Sequence, residues 1–189
     1  MDSNQTDEPT HDDESNALPR VMIDIETLGT DPGAAIVSIG AVRFDAGTLG
    51  ETLFRTVDFV SCEAVGLHID AETLDWWLHR SDKAQEQLTD GVTITTALND
   101  LAVFIDGVEE VWANSPSFDC AILEAAYEAA EMDVPWDFWQ MRDFRTLKNL
   151  PVAPDIDHDG IEHDALDDAK HQAHVAAAAL KRMQEASDE

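Results

Sequence analysis

Residues 21–26, Val-Met-Ile-Asp-Ile-Glu, form an apolar run broken by two carboxylates one residue apart. Alternate side chains of a strand share a face, so Asp24 and Glu26 project to the same side of the sheet this segment joins. The flanks Val21, Met22, Ile23 and Ile25 belong in a core, which argues against an edge strand with paired, solvated acids. Like charges held together cost energy unless something positive sits between them, and neither sequence neighbour is basic. Any fold for this chain must bury the strand and still accommodate both acids.

The surrounding pattern predicts that fold. Residues 34–45 read as a second, β-branched strand and 52–59 as a third, with Asp31-Pro32-Gly33 and Asp45-Ala46-Gly47 as turn signals. Helices are predicted over 70–81, 81–90 and 93–106, with Asp70, Ser81 and Thr93 as N-caps. A short fourth strand follows at 109–114 and a helix at 117–131. Residues 143–147 read as the end of a fifth strand running into a turn, and 163–186 as a long Ala-rich helix. Three strands in a meander, then alternating helices and strands, predict an α/β domain with a mixed sheet over residues 19–186. Residues 1–18 are acidic, poor in apolar side chains and lack Lys and Arg, so a disordered arm is expected there.

Composition narrows the setting. An apolar fraction of 44% suits a globular chain, and no apolar run approaches the ~20 residues of a membrane span. Two cysteines, Cys62 and Cys120, are too few for a disulfide framework, and a soluble cytoplasmic protein is expected. With 40 acids against 11 bases the formal charge is −29, which opposes nucleic-acid binding in ordinary salt. Such a surface suits a DNA mimic, or a protein adapted to a very salty cytoplasm where screening is short-ranged. The spread of acids along the whole chain favours salt adaptation, although a mimic could be acidic throughout.

Two other segments place polar groups in pointed contexts. Asp119 follows Phe118 and opens an apolar helix, with Asn114 a few residues earlier; His163 and Asp168 lie at the start of the C-terminal helix. Taken alone, Asp119 reads as a helix-start acid favoured by the macrodipole, and Asp168 as part of a solvated face. His158, His171 and His174 read as surface or structural residues. A zinc site built from His158, His163 and nearby acids matches no familiar spacing.

Together and in order, the segments carry more. Asp24-Ile25-Glu26 ending a first strand, Asn114 with Phe118-Asp119, and His163 with Asp168 on the last helix resemble the three motifs of the DEDDh 3′–5′ exonuclease superfamily. Residues 22–45, 69–81 and 136–147 further resemble the Rv2179c-like exoribonuclease and phage exodeoxyribonuclease A sub-branch. The resemblance spans residues 20–180 and implies a ribonuclease-H-like mixed sheet: an antiparallel three-strand meander plus parallel strands, flanked by helices. It implies hydrolysis at the 3′ ends of single-stranded RNA or DNA, with the choice between them and the oligomeric state, monomer or homodimer, left open.

That chemistry suits the residues. Two divalent ions, Mg²⁺ or Mn²⁺, about 3.5–4 Å apart can stabilise both the attacking and the leaving oxygen, and hard cations take carboxylate ligands. The resemblance makes Asp24 the bridging ligand, puts Glu26 and Asp168 on one ion, and has Asp119 orient the second through water. An imidazole exchanges protons near neutral pH, which suits His163 to the part of general base. The resemblance further implies that Thr27 and Leu28, just after the Asp-x-Glu, contact the sugar of the terminal nucleotide and wedge against its base, and Phe118 is expected to line the same slot or pack in the core. Trp77 is favoured over its neighbour Trp76 for stacking on a base. Arg145 is expected beside a phosphate or the metal site, or in a surface ion pair. Readings from other classes are a non-catalytic binding module on the same fold, against which the intact motif residues argue, and an acidic DNA mimic, which needs neither His163 nor metal.

Overall fold

The computed structural model describes residues 18–161 and 163–188. The expected acidic arm lies outside the described residues except for Leu18, whose carbonyl accepts a hydrogen bond from Arg43 Nη1 at 3.2 Å. Five strands form one mixed sheet: β1 (Arg20–Thr27), β2 (Ile36–Asp45), β3 (Thr48–Thr56), β4 (Glu110–Ala113) and β5 (Met141–Asp143). The first three make the antiparallel meander, while β4 joins β1 and β5 joins β4 in parallel, in the order β3-β2-β1-β4-β5. The helices among the described residues are α1 (Phe59–Ala64), α2 (Ala71–Leu78), α3 (Asp82–Gln85), α4 (Ile94–Phe104), α5 (Asp119–Ala129), α6 (Phe144–Lys148) and α7 (Ala165–Ser187).

The central strand is buried on both faces, which explains why its residues other than Asp24 and Glu26 are so largely apolar. Val21, Ile23 and Ile25 enter the larger core with residues of α4 and α5; Met22 enters a second core beneath α7. Strand alternation therefore turns Asp24 and Glu26 toward the α7 side of the sheet. Helix α7 lies close because its inner face is small, with Ala165, Ala169, Ala173 and Ala176 fully buried. Gly40 completes the approach. It pairs with Asp24 across β1 and β2, and a Cβ there would lie 2.2 Å from both the backbone carbon and oxygen of Ala165.

The predicted caps are present: Asp70, Ser81 and Thr93 each accept a backbone N–H at the start of α2, α3 and α4. Three boundaries differ from expectation. The third strand begins at Thr48 and stops at Thr56, because Asp58 accepts from the Val60 N–H and starts α1. The helix predicted over 81–90 is only α3 followed by a 3₁₀ turn, Glu86–Leu88, and Asp90 beyond it has φ +58°. Of residues 143–147 only Asp143 belongs to the strand, as its last residue, and the rest form a helix instead of a turn. Asp143 accepts from the Thr146 N–H and hydroxyl and caps α6, leaving the fifth strand upstream at 141–143. At Asp58 and Asp143 a side-chain cap overrides a short apolar pattern.

Candidate active site

Sequence positions far apart converge at the carboxyl end of β1. Strand β1 delivers Asp24 and Glu26, and α7 delivers Asp168 one turn inside its N-terminus. Oxygen atoms of Asp24, Glu26 and Asp168 lie within 4.8 Å of one another. The loop after β4 turns directly into α5 and brings Asp119, 4% exposed, to the same cluster. Asp119 Oδ2 accepts a hydrogen bond from the Ser115 N–H at 3.3 Å. The loop before α7 carries His163, whose Nδ1 is 4.0 Å from Glu26 Oε1. Asp164 then caps α7 by accepting from Leu166 and Asp167.

Burial and mutual repulsion make this a strained set of acids. Burial, then the charges of Asp119 and Glu26, hold Asp24 well above the usual carboxylate range, although a Gln172 hydrogen bond of 2.7 Å opposes this. Burial, then Asp168 and Asp119, push Glu26 up to about 8. Burial also raises Asp119 and Asp168; backbone N–H groups oppose it at the first and His158 at the second. A cation bound among these oxygens removes the repulsion, and an oxygen-only donor set matches a hard divalent ion.

The conflict among the acids has a thermodynamic signature. An unfolded Glu26 releases its proton near its ordinary pKa of 4.5, whereas the folded one keeps it to about 8. The native state binds more protons across that window, so raising the pH destabilises the metal-free fold. The melting temperature of chelator-treated protein is expected to fall between about pH 5 and pH 8. Adding Mn²⁺ at the upper end should restore it, and Glu26→Gln should flatten the trend. A flat profile for the unmodified chain would contradict the strained cluster.

The polar neighbours are partly legible in the sequence. Asn114 and Gln172 line a cavity of about 320 Å³ beside Asp168, with Lys148 and His171. Arg145, exposed on α6, is close enough for its charge to lower Asp119. Gln172 is a site residue that the motifs do not include, yet it stands one turn after Asp168, and the i,i+4 spacing is the available signal. His158, expected at the surface or in a structural role, is instead at the site, its Nε2 2.8 Å from Asp168 Oδ1. Its loop has no periodicity that could show this.

A second cavity of about 490 Å³ opens on the other side of Glu26, lined by Thr27, Gly29, Thr73, Trp76 and Trp77. Here the expectations for Leu28 and Trp77 need correction, and Phe118 takes the core alternative of its two readings. Leu28 is fully buried in the larger core and forms no wedge. Phe118 packs against that same core instead of lining this cleft, because it precedes the buried first turn of α5. Trp77 is 1% exposed, and its Nε1 donates to the Thr27 carbonyl at 2.9 Å; it is a wall that fixes the strand end. Its neighbour Trp76 is 37% exposed, packs edge-on against His163 with ring centroids 4.8 Å apart, and carries Arg80 over its ring at 4.2 Å. Adjacent helix positions point about 100° apart, and only the packing of α2 decides which ring turns inward. Thr27 is nearly buried, its hydroxyl donating to the Gly29 carbonyl at 2.6 Å.

Comparison with known proteins gives a consistent result. The family model for the 3′–5′ exoribonuclease Rv2179c-like domain matches residues 19–180. An exodeoxyribonuclease of Enterobacteria phage T4 is 22% identical over 158 residues, covering 66% of this chain and 68% of its own. Among solved structures, the nuclease domain of 3′hExo, a DEDDh family member bound to rAMP, superposes with a TM-score of 0.60 at 15% identity. That match covers 92% of this chain and 95% of the other. A full-length 3′-exonuclease gives 0.59 at 14% identity, over 99% of this chain and 64% of its own length. These likenesses show the ribonuclease-H-like mixed sheet expected from the motifs. No described helix is long and apolar enough to cross a membrane.

Proposed function

Since the chain belongs to the Rv2179c-like 3′–5′ exoribonuclease family and is a metal-dependent exonuclease of the DEDDh type, we propose that it shortens single-stranded RNA or DNA from the 3′ end, using two divalent ions and His163 as general base. The observation that carries this reading is the convergence of Asp24, Glu26 and Asp168 oxygens within 4.8 Å, with the His163 imidazole 4.0 Å from Glu26. Asp24, Glu26 and Asp168 would hold the ions, Mg²⁺ or Mn²⁺, with Asp119 assisting. Bound there, they supply electrostatic stabilisation of the charge that develops on the attacking and leaving oxygens.

The chain's own residues do the rest. His163 takes the proton of the attacking water as its oxygen bonds to phosphorus. The bond from phosphorus to the 3′-oxygen of the preceding nucleotide breaks, and that oxygen takes a proton from solvent. Trp77 holds the Thr27 carbonyl, so the end of β1 keeps its shape beside the cleft. Trp76 offers the exposed ring on which a terminal base stacks. Trp76→Ala is expected to raise KM about tenfold, from the loss of base stacking, and to lower kcat as well, because the same ring packs against His163; an unchanged KM would rule out stacking.

The deciding assay uses 5′-labelled single-stranded RNA and DNA with Mg²⁺ or Mn²⁺ in molar KCl. A ladder of products shortened from the 3′ end, absent with chelator, is expected on at least one substrate. No metal-dependent shortening of either would overturn the proposal. His163→Ala should lower kcat about a hundredfold if the imidazole is the base.

A further inference from the structure

The loop that carries His163 is held by a buried polar connection from outside the motifs. His163 has φ +64°, a left-handed conformation that costs an ordinary residue about 1–2 kcal/mol. Such strain persists only where the surroundings over-determine it. The restraint here is Gln87, 5% exposed, in the 3₁₀ turn Glu86–Leu88. Its Nε2 donates to the His163 carbonyl at 2.6 Å, and its Oε1 accepts from the Ser38 hydroxyl at 2.7 Å. A carbonyl can only accept, so the amide has one orientation that satisfies both ends.

Ser38 is itself placed by the sheet. It is fully buried on β2 and pairs directly with Glu26 on β1. The connection Ser38–Gln87–His163 thus starts on the strand position opposite a carboxylate of the cluster and ends on the main chain of the residue facing that carboxylate. It spans 49 residues of sequence in one step and 76 in the next. On the other side of the ring, Trp76 packs edge-on. Main chain and ring are held from two independent elements.

We infer that Gln87 is a positioning residue for the reaction: it clamps the main chain at His163 so that the imidazole faces the Glu26 edge of the carboxylate cluster. The inference rests on His163 acting as the base. Gln87 hydrogen-bonds to none of the acids, so its effect should pass through His163 alone.

A double-mutant cycle tests this. Gln87→Met keeps the length of the side chain and removes both hydrogen bonds. It is expected to lower kcat about ten- to a hundredfold, the usual effect of misplacing a reacting group, with KM and Mn²⁺ affinity measured by EPR unchanged. In the His163→Ala background the same substitution should lower kcat no further. An equal fold-loss in both backgrounds, or a parallel loss of Mn²⁺ affinity, would show a merely structural role and overturn the inference. An unchanged kcat in His163→Ala alone would overturn the base assignment and this inference with it, so the two failures are distinguishable. If Gln87→Met does not fold, Ser38→Ala removes the far anchor and carries the same cycle.

Discussion

Asp24→Asn is expected to lower hydrolysis about a thousandfold or more, while raising the melting temperature of the metal-free protein at mildly alkaline pH. Both effects come from one charge. Asp24 is 9% exposed, and burial together with Asp119, Glu26 and Asp168 disfavours its ionised form. An amide of the same shape removes that penalty, and its Oδ1 can still accept from Gln172 Nε2, which lies 2.7 Å from the Asp24 carboxylate. The folded-state pKa is raised, so the penalty is absent in acid and grows as the pH rises above the ordinary carboxylate value. The stabilisation by the substitution should therefore appear at alkaline pH and vanish near pH ~4. With Mn²⁺ present the order should invert, because the wild-type cluster binds the ion better than the variant and gains the linkage stabilisation. Thermal melts with chelator and with Mn²⁺, beside the nuclease assay, measure all three. A metal-free Asp24→Asn variant less stable than wild type at alkaline pH would mean the acids are not in conflict.

Gly40→Ala is the second substitution with a large expected effect, and it touches no polar side chain. The added Cβ would fall 2.2 Å from backbone atoms of Ala165 and 2.4 Å from the Leu166 nitrogen. Backbone cannot swing aside as a long side chain can, so the start of α7 must move off β2. Overpacking of this kind costs about 1–3 kcal/mol. The functional cost is larger, because Asp168 rides on that first turn and His163 on the loop before it. A displacement on the order of 1 Å can cost a hundredfold in rate, and here it would move two groups away from Asp24 and Glu26 together. The expected result is a folded protein with a lowered melting temperature, weakened Mn²⁺ binding and activity down about a hundredfold. Wild-type activity in Gly40→Ala would mean that α7 can be lifted without separating the acids.

The central strand shows how much of the fold is legible. Buried on both faces, it has to be apolar, so two acids one residue apart stand out against it. The caps at Asp70, Ser81 and Thr93 are equally readable, since capping is a local competition for orphan N–H groups. The same local chemistry misleads where it is overlooked: Asp58 and Asp143 start helices that short apolar runs disguise as strands. The acidic quartet and His163 are legible only as an ordered set that resembles the three DEDDh motifs; taken alone, Asp119 reads as a helix-start acid and Asp168 as part of a solvated face.

The two tryptophans mark the other limit. Trp76 and Trp77 are chemically identical neighbours, and no local rule chooses which faces the core. The Thr27 carbonyl decides it, an acceptor supplied by a strand 50 residues away. Gln87 and His158 belong to the same class: a glutamine in a short polar helix and a histidine in an irregular loop, each given meaning by a partner remote in sequence or in another element. The amino-acid sequence by itself determined the buried strand, the period that points its acids to one face, and the ligand types that suit a hard cation. Tertiary structure alone decided how close the acids come, which ring borders the cleft and what holds His163 in place. The reason is physical. Alternation and capping act over a few residues, whereas separations of a few ångströms between distant segments depend on how α7 seats on β2 at Gly40.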